Sequence, residues 1–185
     1  MSKIVSALNG ASFDGFARIR EIGPLGMISL RAKPDLPGLV AAIQAATGCA
    51  LPAQRRIVHN GDKAAGWMSP DEYLLIVPYA DVAATLAVLA ETLAGQHHLA
   101  VDVSDARAVF RIEGARAAEV LQKLSPVDHA TLAENELRRT RAAQVAAAFW
   151  RDEAGYTLVC FRSVATYVMG LLKASAQPGG ELFSG

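Results

Sequence analysis

Cysteine is scarce: only Cys49 and Cys160 occur in 185 residues, with no CxxC pair and no histidine at ligand spacing. A disulfide scaffold and a structural zinc site are thereby excluded, because two cysteines form at most one bridge and neither has ligand partners at zinc-site spacing. Charge of one sign is also missing, with 18 Lys plus Arg against 18 Asp plus Glu. The chain as a whole therefore offers no basic field for nucleic acid or for an anionic membrane surface. No apolar run reaches the roughly 18 residues of a membrane span. After Lys3 only Ile4 and Val5 adjoin before polar residues intervene, so no signal-peptide core is expected and the expected location is the cytoplasm. Aromatic residues make up only 6%. What is abundant is small and apolar: a 52% hydrophobic fraction that includes 35 alanines, enough to bury a core.

Motifs for chemistry are equally sparse. No GxSxG elbow is present. The nearest approach to a phosphate loop, Gly23-Pro24-Leu25-Gly26, puts a proline where an N–H donor is needed and reads as a turn. His97 and His98 are adjacent in a connection, His59 lies in a short strand and His129 in a loop; none has a nucleophile or carboxylate partner that the sequence assigns. Asp71-Glu72 and Asp152-Glu153 occupy turn positions, and Asp102-Val103-Ser104-Asp105 is a local backbone-bonding stretch joining two halves. No catalytic and no metal-ligating residue is expected. The cluster Arg138-Arg139-Thr140-Arg141 leaves Arg138, Arg139 and Arg141 as candidates for holding an anion such as a folate's glutamate tail.

Residues 1–25 lack a sustained period and read as an irregular arm whose apolar side chains need cover from a partner. Met27 to Ala32 reads as a strand, and Asp35 as the cap of a helix with Pro37 in its first turn and Gly48 at its end. Strand pieces follow at Arg56 to Asn60, Gly66 to Met68 and Tyr73 to Val77. Val82, Leu86, Leu89 and Leu93 then share one helical stripe closed by Gly95. The second half runs in the same order. Leu99 to Val103 and Ala108 to Glu113 read as strands, Gly114 as the start of a helix carrying Ala117, Val120, Leu121 and Leu124, and a loop follows Ser125-Pro126. Val145 to Trp150 and Tyr156 to Phe161 read as a strand pair, and Ser163 as the cap of a last helix. Residues 176–185 read as a flexible tail.

One constant offset carries Trp67 onto Trp150, Tyr73 onto Tyr156, Leu75 onto Leu158, Leu86 onto Met169 and Leu89 onto Leu172. An offset one residue shorter carries Ile28 onto Phe110, Leu30 onto Ile112 and Leu39 onto Leu121. The expected fold is α+β: two pseudo-repeated βαββα units, about 27–95 and 108–175, packed as a single domain over 26–175 around one shared core.

The stretch from Asp102-Val103-Ser104 through Arg107, Ile112, Gly114, Ala117 and Leu121 to Pro126-Val127-Asp128 carries a D-x-S-x-x-R-(x)-I-x-G-x-x-A-x-x-x-L-x-x-x-x-P-x-D pattern. With Gly66-Trp67-Met68-Ser69-Pro70-Asp71-Glu72-Tyr73 and Arg139-Thr140-Arg141, it resembles the gamma subunit of heterotetrameric sarcosine oxidase. The resemblance implies a fold related to the folate-binding domain of aminomethyltransferases. It implies a small, non-catalytic subunit assembled with alpha, beta and delta chains that oxidatively demethylate sarcosine to glycine, with FAD, FMN, NAD and tetrahydrofolate carried by those partners. In the aminomethyltransferase relatives a carboxylate near the start of the strand aligned with Val145 to Phe149 contacts the folate. Here that region reads Ala142-Ala143-Gln144-Val145, which favours an architectural role over the alternative of a free-standing folate-binding or methyl-transfer module.

Overall fold

The computed structural model describes residues 5–182; Ile4 and residues 183–185 of the expected tail lie outside them. The chain divides into two compact units, one of Leu25–Ser104 and one of Met1–Pro24 with Asp105–Gly185. The N-terminal segment is not an irregular arm. It supplies β1 (Ser12–Asp14) and β2 (Arg18–Ile22) to the sheet of the second unit. What hides β2 in the sequence is Glu21, a charged residue on its buried face. That carboxylate accepts hydrogen bonds from the Ser6 hydroxyl at 2.8 Å and from the Leu8 and Gly10 amides at 2.8 and 2.9 Å. The strand alternation is thus interrupted by a carboxylate whose partners come from the preceding irregular turns.

The unit of residues 25–104 contains β3 (Gly26–Arg31), α1 (Leu39–Thr47), β4 (Ile57–Asn60), β5 (Lys63–Ser69), β6 (Glu72–Val77), α2 (Val82–Thr92) and β7 (Leu99–Asp102). Its antiparallel sheet has the order β4-β5-β6-β3-β7. β6 is buried at every position, as its continuous apolar run requires. Asp35 does not cap α1, and Pro37 precedes the helix. The Leu36 amide bonds the Lys33 carbonyl in a turn, and the helix begins only behind Gly38, whose φ of 84° is left-handed. Starting later also leaves Val40 exposed. Ile28, Leu30, Leu39, Ile43, Leu75, Leu89 and Leu93 form the core on the helix side.

Residues 105–182 add β8 (Arg107–Glu113), α3 (Ala117–Gln122), β9 (Leu137–Ala142), β10 (Val145–Asp152), β11 (Gly155–Phe161) and α4 (Ala165–Ser175). With β1 and β2 the sheet runs β1-β2-β8-β11-β10-β9, antiparallel throughout. A second cluster, including Ile19, Phe110, Ile112, Val120, Phe149, Leu158 and Leu172, lies on its helix side. Two clusters, one in each unit, therefore replace the shared core that was expected. β9 is a further difference, since it lies where a loop was read. It is an edge strand with arginines on both faces, a pattern that discourages edge pairing but erases the apolar alternation. Ser163 is not a side-chain cap; a 3-10 turn at Arg162–Val164 leads into α4. The tail is tied down within the described residues: the Lys123 ammonium donates to the Ser175 carbonyl at 2.7 Å and also to that of Gly180, and the Leu182 amide donates to Glu119 at 2.8 Å.

Both units run strand, helix, three strands, helix, and the sheet orders β4-β5-β6-β3 and β9-β10-β11-β8 coincide. Ile28 sits opposite Leu75 as Phe110 sits opposite Leu158, and Leu30 opposite Tyr73 as Ile112 opposite Tyr156. The tryptophans break this correspondence. Trp67 faces Tyr73 beside a register shift, whereas Trp150 faces Thr157. Trp67 packs on the helix-side cluster with Ala65, and Trp150, next to Phe149, points to the other side of its sheet.

Candidate functional site

Placing the arginine cluster on a strand separates its members. Side chains alternate along β9, so Arg139 and Arg141 share one face while Arg138 shares the other with Phe149, its partner across the β9–β10 pair. The Arg138 guanidinium is held by Glu136 at 2.7 Å. The three candidates therefore do not form one anion clamp. The carboxylate pairs read as turn residues act as such. Asp71 accepts from the Ser69 hydroxyl at 2.9 Å and pairs with Arg31 at 3.3 Å. Asp102 accepts from the Ser104 amide at 2.9 Å and its hydroxyl at 2.5 Å, while the Ser104 oxygen accepts the Met27 amide at 2.9 Å. That stretch fixes the end of β7 against β3. The His98 ring meets the Gln96 carbonyl at 3.0 Å, and His59 and His97 are exposed.

His129 lies in a turn, as read, and is buried there. Its residue is 5% exposed, and neither ring nitrogen has a protein hydrogen-bond partner. A buried polar group left in that condition costs roughly 1–3 kcal/mol, so it calls for an account. The ring stacks on Phe149 and meets Tyr156 edge-on, with centroids 5.7 Å apart for the latter. It borders a cavity of about 440 Å³ within the second unit, between the turn that opens α3 (Gly114, Ala117) and the β10–β11 hairpin (Arg151, Asp152, Tyr156). The size suits a small organic ligand.

The charges around this cavity are unequally engaged. Asp152 is well engaged: Arg111 donates to its two oxygens at 2.6 and 3.0 Å, and the amides of Ala154 and Gly155 donate at 2.9 and 3.1 Å. Burial pushes its carboxyl up, but the Arg111 hydrogen bond and charge together with the two amides outweigh this and hold it below the usual carboxylate range. Among the described residues, the Arg151 guanidinium by contrast makes one long bond of 3.4 Å, to the Leu132 carbonyl. Burial raises the Tyr156 phenol and so keeps its proton, with Arg151 pulling the other way. Burial also lowers His129, against the nearby Asp128, which keeps the imidazole neutral. Among the described residues no serine, threonine or cysteine borders the cavity. The set can bind and orient. Cys160 is no activated nucleophile, since burial pushes its thiol up to about 12. Among the described residues no group of three His, Cys, Asp or Glu side chains is arranged to hold a metal. The sequence carries no signal for this site, because the burial of His129 comes from Phe149 and Tyr156, distant in the chain.

Comparison with known proteins places this geometry in a family. The sequence model of the sarcosine oxidase, gamma subunit family matches residues 31–177. The sarcosine oxidase gamma subunit of an Arthrobacter species is 30% identical over 161 residues, 84% of this chain and 78% of that protein. That of Corynebacterium sp. strain U-96 is 35% identical over 138 residues, 72% of this chain and 65% of that protein. That of Corynebacterium sp. strain P-1 is 33% identical over 68% of this chain, and the match spans 61% of its own length. Among solved structures, a chain of the heterotetrameric sarcosine oxidase from Corynebacterium sp. U-96 superposes with a TM-score of 0.78 at 29% identity, covering 86% of this chain and 83% of that one. Aminomethyltransferase T of the glycine cleavage system from Bartonella henselae, at 14% identity, covers 85% of this chain and 45% of its own with a TM-score of 0.64, a likeness of fold alone. No helix among the described residues is long and apolar enough to cross a membrane. On the family match and these relatives, the chain belongs to the sarcosine oxidase gamma subunit family.

Proposed function

We propose that this chain is the architectural gamma subunit of a heterotetrameric sarcosine oxidase, and that it does not itself carry the chemistry. The assembly, located in the cytoplasm, would oxidise sarcosine to glycine with loss of the methyl group, using FAD, FMN, NAD and tetrahydrofolate held by alpha, beta and delta partners. The observation that carries this reading is the superposition on a chain of a heterotetrameric sarcosine oxidase over 86% of the length. Two features support a role without catalysis. Among the described residues no serine, threonine or cysteine borders the cavity at His129, and the turn between β9 and β10 reads Ala142-Ala143-Gln144-Val145, with no carboxylate to manage a folate's protonation.

The test is co-expression of the chain with candidate alpha, beta and delta subunits, followed by size exclusion monitored at the flavin absorbance. The expected result is a yellow complex containing this chain in stoichiometric amount, whose sarcosine oxidation is lost when the chain is omitted. A colourless chain eluting alone, while the other three assemble and turn over, would overturn the proposal.

A further inference from the structure

We propose that the cavity beside His129 is a binding site for a small organic carboxylate. His129, 5% exposed, borders the cavity with its ring while both ring nitrogens are shut off from solvent, so the donors come from its neighbours. Beside it stand the guanidinium of Arg151, whose one bond among the described residues is a long 3.4 Å contact to a carbonyl, and the protonated hydroxyl of Tyr156. Both can donate, and Tyr156, 4% exposed, is held by packing against the His129 ring, which is itself stacked on Phe149. A planar group with two acceptor oxygens fits this set, because a guanidinium fork and a neighbouring O–H satisfy both oxygens together.

The acidic residues at the rim do not already serve those donors. Asp152 is turned to Arg111 and to the amides of its own hairpin, four donors in all, three of them on one oxygen. Glu153 is exposed at the hairpin tip. It sets a preference within the class: an acid carrying a cationic amine toward the mouth is favoured over a dicarboxylate, which would meet Glu153. The site is a property of this chain and stands whether or not an oxidase assembly forms.

The experiment follows the ring carbon–proton resonances of the four histidines in the full chain at neutral pH while sodium acetate is added, with sodium chloride and methylammonium chloride as separate arms. The His129 signal is expected to move saturably with acetate, half-saturating on the order of millimolar as befits so small a ligand. His59, His97 and His98 should follow only the sodium chloride control. Arg151→Gln is expected to weaken acetate binding by about tenfold or more. Tyr156→Phe, which keeps the ring in place, should weaken it by a smaller factor, and Glu153→Gln should leave it equal or tighter. The proposal is overturned if the His129 signal tracks sodium chloride alone, if methylammonium saturates it, or if both Arg151→Gln and Tyr156→Phe bind acetate like the parent chain.

Discussion

The imidazole of His129 lies parallel to the phenyl ring of Phe149, their planes 9° apart and their centroids separated by 5.4 Å. Phe149 is a core residue of β10, so the stack anchors a loop ring to the sheet. The groups around that ring are Asp128 on its own loop, Arg151, Asp152 and Glu153 on the hairpin, and Tyr156 on β11. Burial lowers the affinity of this ring for a proton, whereas in the unfolded chain it titrates near 6.5. The unfolded state therefore binds more protons than the native state just below that value, and stability should fall as the pH drops beneath about 6.5. His129→Phe keeps the stack and removes the titration. Urea midpoints measured between about pH 5 and 8 should show an acid-side decline in the parent chain and a flatter profile in the variant; equal slopes would refute the assignment.

Arg111 and Asp152 join the middle of β8 to the β10–β11 turn. Arg111 also donates to the Thr157 hydroxyl at 2.7 Å. The Asp152 side chain is 34% exposed, so solvent screens part of the attraction. Arg111→Met is expected to cost about 2 kcal/mol at neutral pH, the scale of a few charge-assisted hydrogen bonds lost together. Since the folded-state proton affinity of Asp152 is depressed, its contribution is present above the unfolded carboxylate value and disappears as the pH falls through the folded one. The gap between parent and variant in urea unfolding should accordingly narrow below about pH 4. A gap that persists unchanged in acid would show that packing of the arginine stem is what was lost.

How much was legible follows from which signals are local. β6 and α2 were readable because burial on both faces gives a continuous apolar run, and one buried face gives a stripe such as Val82, Leu89 and Leu93. β9 was not, because Arg138, Arg139 and Arg141 place charge on both faces of an edge strand. β2 was hidden by Glu21, whose partners Ser6, Leu8 and Gly10 lie outside any strand. The α1 boundary was misread because a proline followed by a glycine reads equally as a first helical turn and as the turn before it. The match of Trp67 with Trp150 was numerical: a register shift in β5 puts the two rings on opposite faces of their sheets. Of the candidate site, the arginines were visible as a charge cluster and then separated by strand alternation. His129 was visible only as one residue in a loop, since its surroundings are assembled by strands that follow it in the chain.

Gly155 closes the β10–β11 turn at φ 146°, and a Cβ there would lie 2.1 Å from the Ile112 carbonyl oxygen. Gly10 also has a positive φ, 74°, yet nothing lies within 4 Å of its would-be Cβ. Conformational strain alone should make Gly10→Ala cost about 1 kcal/mol. Strain plus overlap with fixed backbone should make Gly155→Ala cost about 3 kcal/mol or more. In thermal unfolding these correspond to decreases of about 2–4 °C and about 6–12 °C. Equal decreases would mean that the hairpin relaxes around the added methyl group.

The arm read over residues 1–25 is expected to serve a partner, so that removing residues 1–22 would weaken association more than it weakens the fold. β2 reverses that ranking. It pairs with β8 from Arg18 opposite Glu113 to Ile22 opposite Val109, and Ile19 is fully buried in the helix-side core. Arg20 makes a fork to Glu113 at 3.0 to 3.1 Å, and Arg162 donates to the carbonyls of Val5 and Ser6. Deleting the segment strips Ile19 from the core, worth about 2–3 kcal/mol alone. It also turns β8 into an unprotected edge with its donors and acceptors open to pairing. The truncated chain is expected to melt about 10 °C or more below the parent and to aggregate at concentrations where the parent stays monodisperse in light scattering. An unchanged melting temperature with lost co-purification would restore the arm and remove β2 from the account of stability.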